Sequence, residues 1–136
     1  MRKNTCLLLG LAALILASTA IAGNTARKTI YAFGFAASFN DSTVYFTDIQ
    51  EIDSAFIEDK SHFLVGRQDY SSQLRNYLLE KNEKNRTCIF CFDLKRKKIE
   101  KKYLKMKERY SKKGAFDVKY ISTDELKFQP IIPVEQ

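Results

Sequence analysis

The sequence predicts an α+β domain, a two-layer sandwich in which a mixed sheet of about four strands is packed on one side by two helices. Three observations predict it. Residues 29–39 alternate between aromatic and small side chains, Thr87–Phe92 is a nearly continuous apolar run, and two other stretches repeat their apolar residues at helical spacing. In chain order these give β-β-α-β-α-β.

The first strand runs from Thr29 to Phe39. Tyr31, Phe33, Phe35, Ala37 and Phe39 fall on one face, and Ile30, Ala32, Gly34, Ala36 and Ser38 on the other. Asn40-Asp41-Ser42 has turn chemistry, so Thr43–Ile49 reads as the second arm of a hairpin. Residues 50–62 read as acidic and irregular, with a helical turn near Ser54–Glu58. Phe63-Leu64-Val65 reads as a short strand closed by Gly66. Asp69 is expected to cap a helix reaching about Lys81, with Tyr70, Leu74, Tyr77 and Leu78 inward. Asn82–Asn85 is a polar loop, and Arg86–Phe92 is the most apolar strand. Asp93 is expected to cap a second helix from Leu94 to Lys112, which Gly114 stops. Phe116–Ile121 forms the last strand, with Phe116, Val118 and Tyr120 on one side. The unit 86–121 favours a crossover joining parallel strands. Residues 128–136, with Pro130 and Pro133, form an extended tail after a domain spanning 29–127.

Residues 1–22 read as a cleaved export signal. Arg2-Lys3 precede the apolar run Leu7–Ala17, and Ala20-Ile21-Ala22 is a small-residue cleavage site. The apolar run is shorter than the roughly 20 residues a membrane span needs. Cys6 precedes that run, where lipoprotein processing would need a cysteine after it. Cleavage after Ala22 leaves a polar lead-in at 23–28 and a chain of 114 residues, expected to be periplasmic or extracellular with no integral membrane segment. Losing Arg2 and Lys3 leaves 21 basic residues against 16 acidic ones, a net +5 instead of +7.

Candidates for chemistry are few. Cys88 and Cys91 suggest a disulfide, redox chemistry or half a zinc site. Three residues of strand span roughly 10 Å, beyond the about 7 Å a disulfide allows, and odd spacing sends the thiols to opposite faces. Two buried free thiols follow. His62, the one histidine, cannot complete a zinc set and is expected in a loop. Gly34 and Gly66 are isolated, so no phosphate-cradling loop is present and no cofactor is implied. The small face around Ala32, Gly34 and Ala36 is expected to admit a closely packed helix.

The unusual feature is the basic stretch 95–113, with eleven basic residues opposed by Glu100 and Glu108, a net +9. Ile99, Tyr103, Met106 and Tyr110 make one apolar stripe. At 100° per residue, Lys98, Lys101, Lys102, Lys105, Arg109 and Lys112 all fall on one flank of it. Two readings follow. The flank is either a surface for an anionic partner, or it is neutralised by the acidic segment 40–59, which holds Asp41, Asp48, Glu51, Asp53, Glu58 and Asp59 and no basic residue.

The stretch from Phe63-Leu64-Val65-Gly66 to Tyr77-Leu78, and that from Asn85-Arg86-Thr87-Cys88 to Tyr103, resemble small, functionally uncharacterised exported proteins of gut-type Gram-negative bacteria. The resemblance implies a periplasmic or surface setting and transfers no active site. The leading expectation is a non-enzymatic exported binding domain whose basic helix meets an acidic protein, an acidic glycan or the envelope surface. Export counts against nucleic acid. The rivals are a small exported hydrolase or ligand-binding enzyme with a site in 40–66, and a self-associating structural subunit of the envelope.

Overall fold

The computed structural model describes residues 24–112 and 114–134, so the expected export signal lies outside the described residues. The domain is α+β, with one mixed five-stranded sheet and two helices. Its elements are β1 (Thr25–Ala37), β2 (Thr43–Thr47), β3 (Gln50–Glu58), α1 (Arg67–Glu80), β4 (Thr87–Asp93), α2 (Arg96–Ser111) and β5 (Asp117–Ile121).

β1 organises the sheet. Tyr31 and Ala32 pair with both β3 and β4, and Phe35 and Ala36 pair with both β2 and β4. A residue offers one partner to each edge, so β2 and β3 follow one another along one edge of β1 while β4 takes the other. All three run antiparallel to β1, and β5 runs parallel to β2. β4 and β5 therefore point the same way, as expected of the 86–121 unit, with β1 and β2 between them.

The two-layer arrangement is wrong: each helix covers its own face, giving three layers. Ile30, Ala32 and Ala36 of β1 pack with Tyr70, Leu74 and Leu78 of α1 and with Phe90 and Phe128. Phe33 and Phe35 pack in a second core with Val44, Phe46, Cys91 and Ile99, against which Tyr103, Met106 and Tyr110 of α2 lie. Both faces of β1 are apolar, and a sheet buried on both faces must be covered on both. The alternation that was legible in the sequence carried this consequence.

Other boundaries shift for local reasons. The lead-in expected at 23–28 is strand from Thr25: Thr25–Lys28 pair with Glu58–Ala55, and the Arg27 guanidinium sits 5.4 Å from the Phe56 ring centre. Residues 50–58 are strand, not an irregular acidic stretch. The pairing steps from Lys28↔Ala55 to Ile30↔Ile52, so β3 carries one extra residue at Asp53-Ser54. That bulge moves the buried set from Gln50 and Ile52 to Ala55 and Ile57, breaking the alternation that would reveal a strand. Phe63-Leu64-Val65 makes only an isolated bridge, Leu64 to Ile57. β1 ends at Ala37, leaving Phe39 exposed in the turn.

Neither expected cap holds. Gly66, at φ 73°, precedes α1, and Asp69 lies within its first turn. Asp93 ends β4, and its Oδ1 accepts the Lys95 amide at 2.9 Å instead of capping α2. α1 ends as its sequence suggests: Asn82 turns left-handed at φ 67°, and the Glu83 amide donates to the Leu78 carbonyl at 2.8 Å.

The C-terminal stretch is part of the domain, and a boundary at 127/128 cuts through it. The Gln50 side chain acts as a surrogate strand, its Nε2 donating to the Leu126 carbonyl (2.8 Å) and its Oε1 accepting the Phe128 amide (2.9 Å). Gln73 repeats the device on both backbone groups of Gln129, at 2.9 and 2.8 Å, and the Tyr70 hydroxyl accepts the Ile131 amide at 3.1 Å. These side chains press Phe128 into the α1-side core. A Cβ on Gly66 would lie 2.5 Å from Ile131 Cγ2, so this strap also depends on a glycine there.

Gly34 marks a close approach of helix and sheet. A Cβ there would meet Leu74 Cδ2 at 2.9 Å and Phe128 Cζ at 3.0 Å. Its amide donates to the Thr47 hydroxyl at 2.8 Å, where the chain breaks between β2 and β3. The small face thus admits a helix closely, as expected. Arg86 ties two loops together: its side chain, 4% exposed, pairs with Asp41 (2.9 Å) and Glu83 (3.0 Å), and its Nη1 donates to the Thr43 carbonyl.

Two outcomes follow for stability. Gly34→Val overpacks the α1-side core and should cost about 1–3 kcal/mol in urea unfolding; an unchanged midpoint would show that α1 does not sit so close. The Thr43 amide and then Arg86 hold the Asp41 carboxyl below its ordinary range, and Arg86 and then Tyr45 do so for Glu83. Stability from depressed carboxylates is complete above their unfolded values, roughly pH 4–4.5, and is lost as pH falls through the folded ones. Arg86→Met should lower the midpoint at pH 7 and flatten the acid limb below about pH 4.5. An acid limb as steep as that of the unsubstituted protein would contradict the role given to Arg86.

Candidate anion-facing surface

The apolar stripe of α2 fixes which way its charges point. Ile99 is fully buried against the aromatic face of the sheet. Tyr103 meets the Phe33 and Phe46 rings edge-on at 5.0 and 5.7 Å, and Tyr110 lies 4.9 Å from Phe35 and 5.0 Å from Phe116. Burial, helped by Tyr120 and Asp48, pushes the Tyr103 phenol up to about 12. Aromatic pairs of this kind add about 0.5–1.5 kcal/mol beyond area burial, so the rotation of the helix is well anchored.

With that rotation set, Lys98, Lys101, Lys102, Lys105, Arg109 and Lys112 are all exposed. The structure brings the six together along one flank, as the helical spacing requires. Lys107 identifies the opposite flank: its Nζ lies 5.3 Å from the Tyr103 ring and 5.0 Å from that of Tyr120 on β5. The six-residue flank therefore faces the β4 side, where the charge of Lys102 reaches Cys91.

Neutralisation by the acidic segment fails as an ion-pairing arrangement. Among the described residues, the ion pairs of α2 are Arg96 with Glu100 (3.0 Å) and Lys112 with Glu108 (3.7 Å), both within the helix. Lys112 is thus the one member of the six with a carboxylate partner. Asp41 is engaged by Arg86, and Asp48 accepts the Thr123 amide and hydroxyl at 3.0 and 3.2 Å. Glu58 accepts the Ser61 hydroxyl, while Glu51 and Asp53 sit on β3 and form no ion pair with α2 among the described residues.

The 40–66 region offers a groove of about 230 Å³ at the β3 bulge, beside the strap, lined by Glu51, Asp53, Ser54 and Lys127 among others. Neither Glu51 nor Asp53 hydrogen-bonds to another side chain among the described residues, and His62 is an exposed turn residue at φ 59°. Cys88 and Cys91 are free and buried in the two opposite cores, and burial pushes both thiols up, away from the reactive thiolate. Sequence reasoning missed Arg67 and Arg75, which stand on the α1 flank beside β4. Arg67 donates to the Phe90 carbonyl at 3.2 Å, and Arg75 shares a groove with Cys88. Their spacing of eight on one helix face was the available signal.

These features define a small α/β/α-layered domain with a one-sided cationic surface. No protein-family model, curated protein or solved structure matches the chain.

Anchoring and charge are separable in this helix. Ile99→Ala should cost about 2–5 kcal/mol by loss of buried volume. Replacing Lys98, Lys101, Lys105 and Arg109 together with Gln should leave the urea midpoint close to its original value, since isolated surface substitutions stay within about 0.5 kcal/mol. A large loss in the second variant would assign these cations a structural role.

Proposed function

We propose that the protein is a non-enzymatic exported binding domain that uses the outer flank of α2 to hold an anionic partner: an acidic protein, an acidic glycan or the envelope surface. The observation that carries this reading is the exposure of Lys98, Lys101, Lys102, Lys105 and Arg109 without a carboxylate partner among the described residues. A second observation agrees with it. The first turn of α2 holds Arg96, Lys97 and Lys98 and no acid, which opposes the helix dipole. Positive charge at that end works against folding, and a binding role gives it a reason to be there. The order of charge, apolar run and small residues at 1–22, with the resemblance over 63–103, supports the exported setting. Export in turn counts against nucleic acid. Among the described residues no helix is long and apolar enough to cross a membrane.

Binding to vesicles containing anionic lipid, to a sulfated oligosaccharide and to a glutamate-rich peptide tests the reading. A cation near an anionic surface contributes about 1 kcal/mol. Replacing Lys98, Lys101, Lys105 and Arg109 with Gln should therefore weaken the best of these probes about a hundredfold or more. Undiminished binding by that variant, with its fold intact, would overturn the proposal.

A further inference from the structure

β4 is an edge strand whose outward backbone lies under side chains in this structure, Phe90 being 2% and Cys88 7% exposed. A partner at this edge must displace them, Arg67 first. Among the described residues it pairs with β1 alone. The Gly34 amide turns toward Thr47, away from β4, so the Gly34↔Phe90 pair leaves the Phe90 backbone facing outward. Arg67 confirms that direction by donating to the Phe90 carbonyl from outside. Strand alternation then turns the amides and carbonyls of Cys88, Phe90 and Phe92 outward together. An exposed side chain, that of Arg67, is what presently occupies a site where an added strand's amide would donate.

Both walls of this edge are cationic. On the α1 side stand Arg67, whose guanidinium lies 5.6 Å from the Phe92 ring, and Arg75 beside Cys88. On the α2 side stands Lys102, whose charge reaches Cys91, on the exposed helix flank it shares with Lys98, Lys105 and Arg109. At the start of β4, an apolar groove of about 290 Å³ opens on the α2 side, lined by Phe35, Ala37, Phe39, Thr87, Ile89 and Tyr110. Phe39 and Ile89 leave much of their apolar surface in water there.

Resting on the proposed anion-binding reading, we infer that the partner is an extended acidic polypeptide segment that adds to the sheet along β4. Its backbone continues the ladder at Cys88, Phe90 and Phe92. Its acidic side chains meet the two basic walls, and an apolar side chain enters the groove beside Ile89. Charge decides against a second copy of this chain on the same edge, because two-fold pairing of β4 with itself would set like-charged walls against each other. A glycan or a lipid surface satisfies the walls and leaves the backbone edge unmet.

Amide hydrogen exchange of the protein with a ten-residue peptide alternating Glu and Val tests this, alongside the same peptide N-methylated at every residue so that neither of its edges can donate to a ladder. The plain peptide should slow exchange at Phe90 and Phe92 about tenfold or more, and N-methylation should weaken binding by about tenfold or more. Equal affinity for both peptides, without protection at β4, would overturn the strand-addition inference while leaving anion binding on α2 intact. Failure of the plain peptide, together with the sulfated oligosaccharide and the anionic vesicles, would overturn both.

Discussion

Everything in this domain depends on β1 being buried on both faces. Thirteen residues of strand carry a small face of Ile30, Ala32, Gly34 and Ala36 and an aromatic face of Tyr31, Phe33 and Phe35. The small face lets α1 come within contact of the backbone, with Leu74 and Phe128 filling the space a Gly34 side chain would need. The aromatic face instead supplies ring edges on which Tyr103 and Tyr110 of α2 seat. One strand thus specifies two different helix packings. Its length also lets β2 and β3 share one edge while β4 occupies the other.

That arrangement has a consequence for charge. Because α2 is alone on its face, only one stripe of it is covered, and its remaining surface points to solvent. The acidic residues of 40–59 form no ion pair with it among the described residues, and two of them are engaged elsewhere, Asp41 by Arg86 and Asp48 by Thr123. Exposed ion pairs contribute little in any case, at most about 1 kcal/mol each. Folding therefore gives small return on the lysines of α2, and their uneven distribution points outward.

Much of this was legible in the residues. The two helices, the β1 alternation and the opposed burial of Cys88 and Cys91 follow from period alone, since each side chain's direction is set by its own segment. The flank of Lys98, Lys101, Lys102, Lys105, Arg109 and Lys112 is likewise a property of one helix. What stayed hidden depends on partners distant in sequence. The bulge at Asp53-Ser54 broke the alternation of β3, and polar Thr25–Lys28 became strand because Glu58–Ala55 lie opposite. The strap at 126–131 is held by the side chains of Gln50, Gln73 and Tyr70, contacts that span 56 to 78 residues. The opposed helices were implicit in β1, since a strand that is apolar on both faces needs cover on both.

The central claim is that the α2 flank keeps an uncompensated positive potential in the folded protein, and it can be read without knowing any partner. The measurement is nuclear relaxation of surface protons by a pair of small paramagnetic cosolutes that differ only in charge. Protons along Lys98–Lys112 should be relaxed several-fold more by the anionic cosolute than by the cationic one at low salt, and the difference should shrink as the Debye length shortens. Equal relaxation by the two cosolutes along that flank would show that its charge is compensated, and would contradict the account.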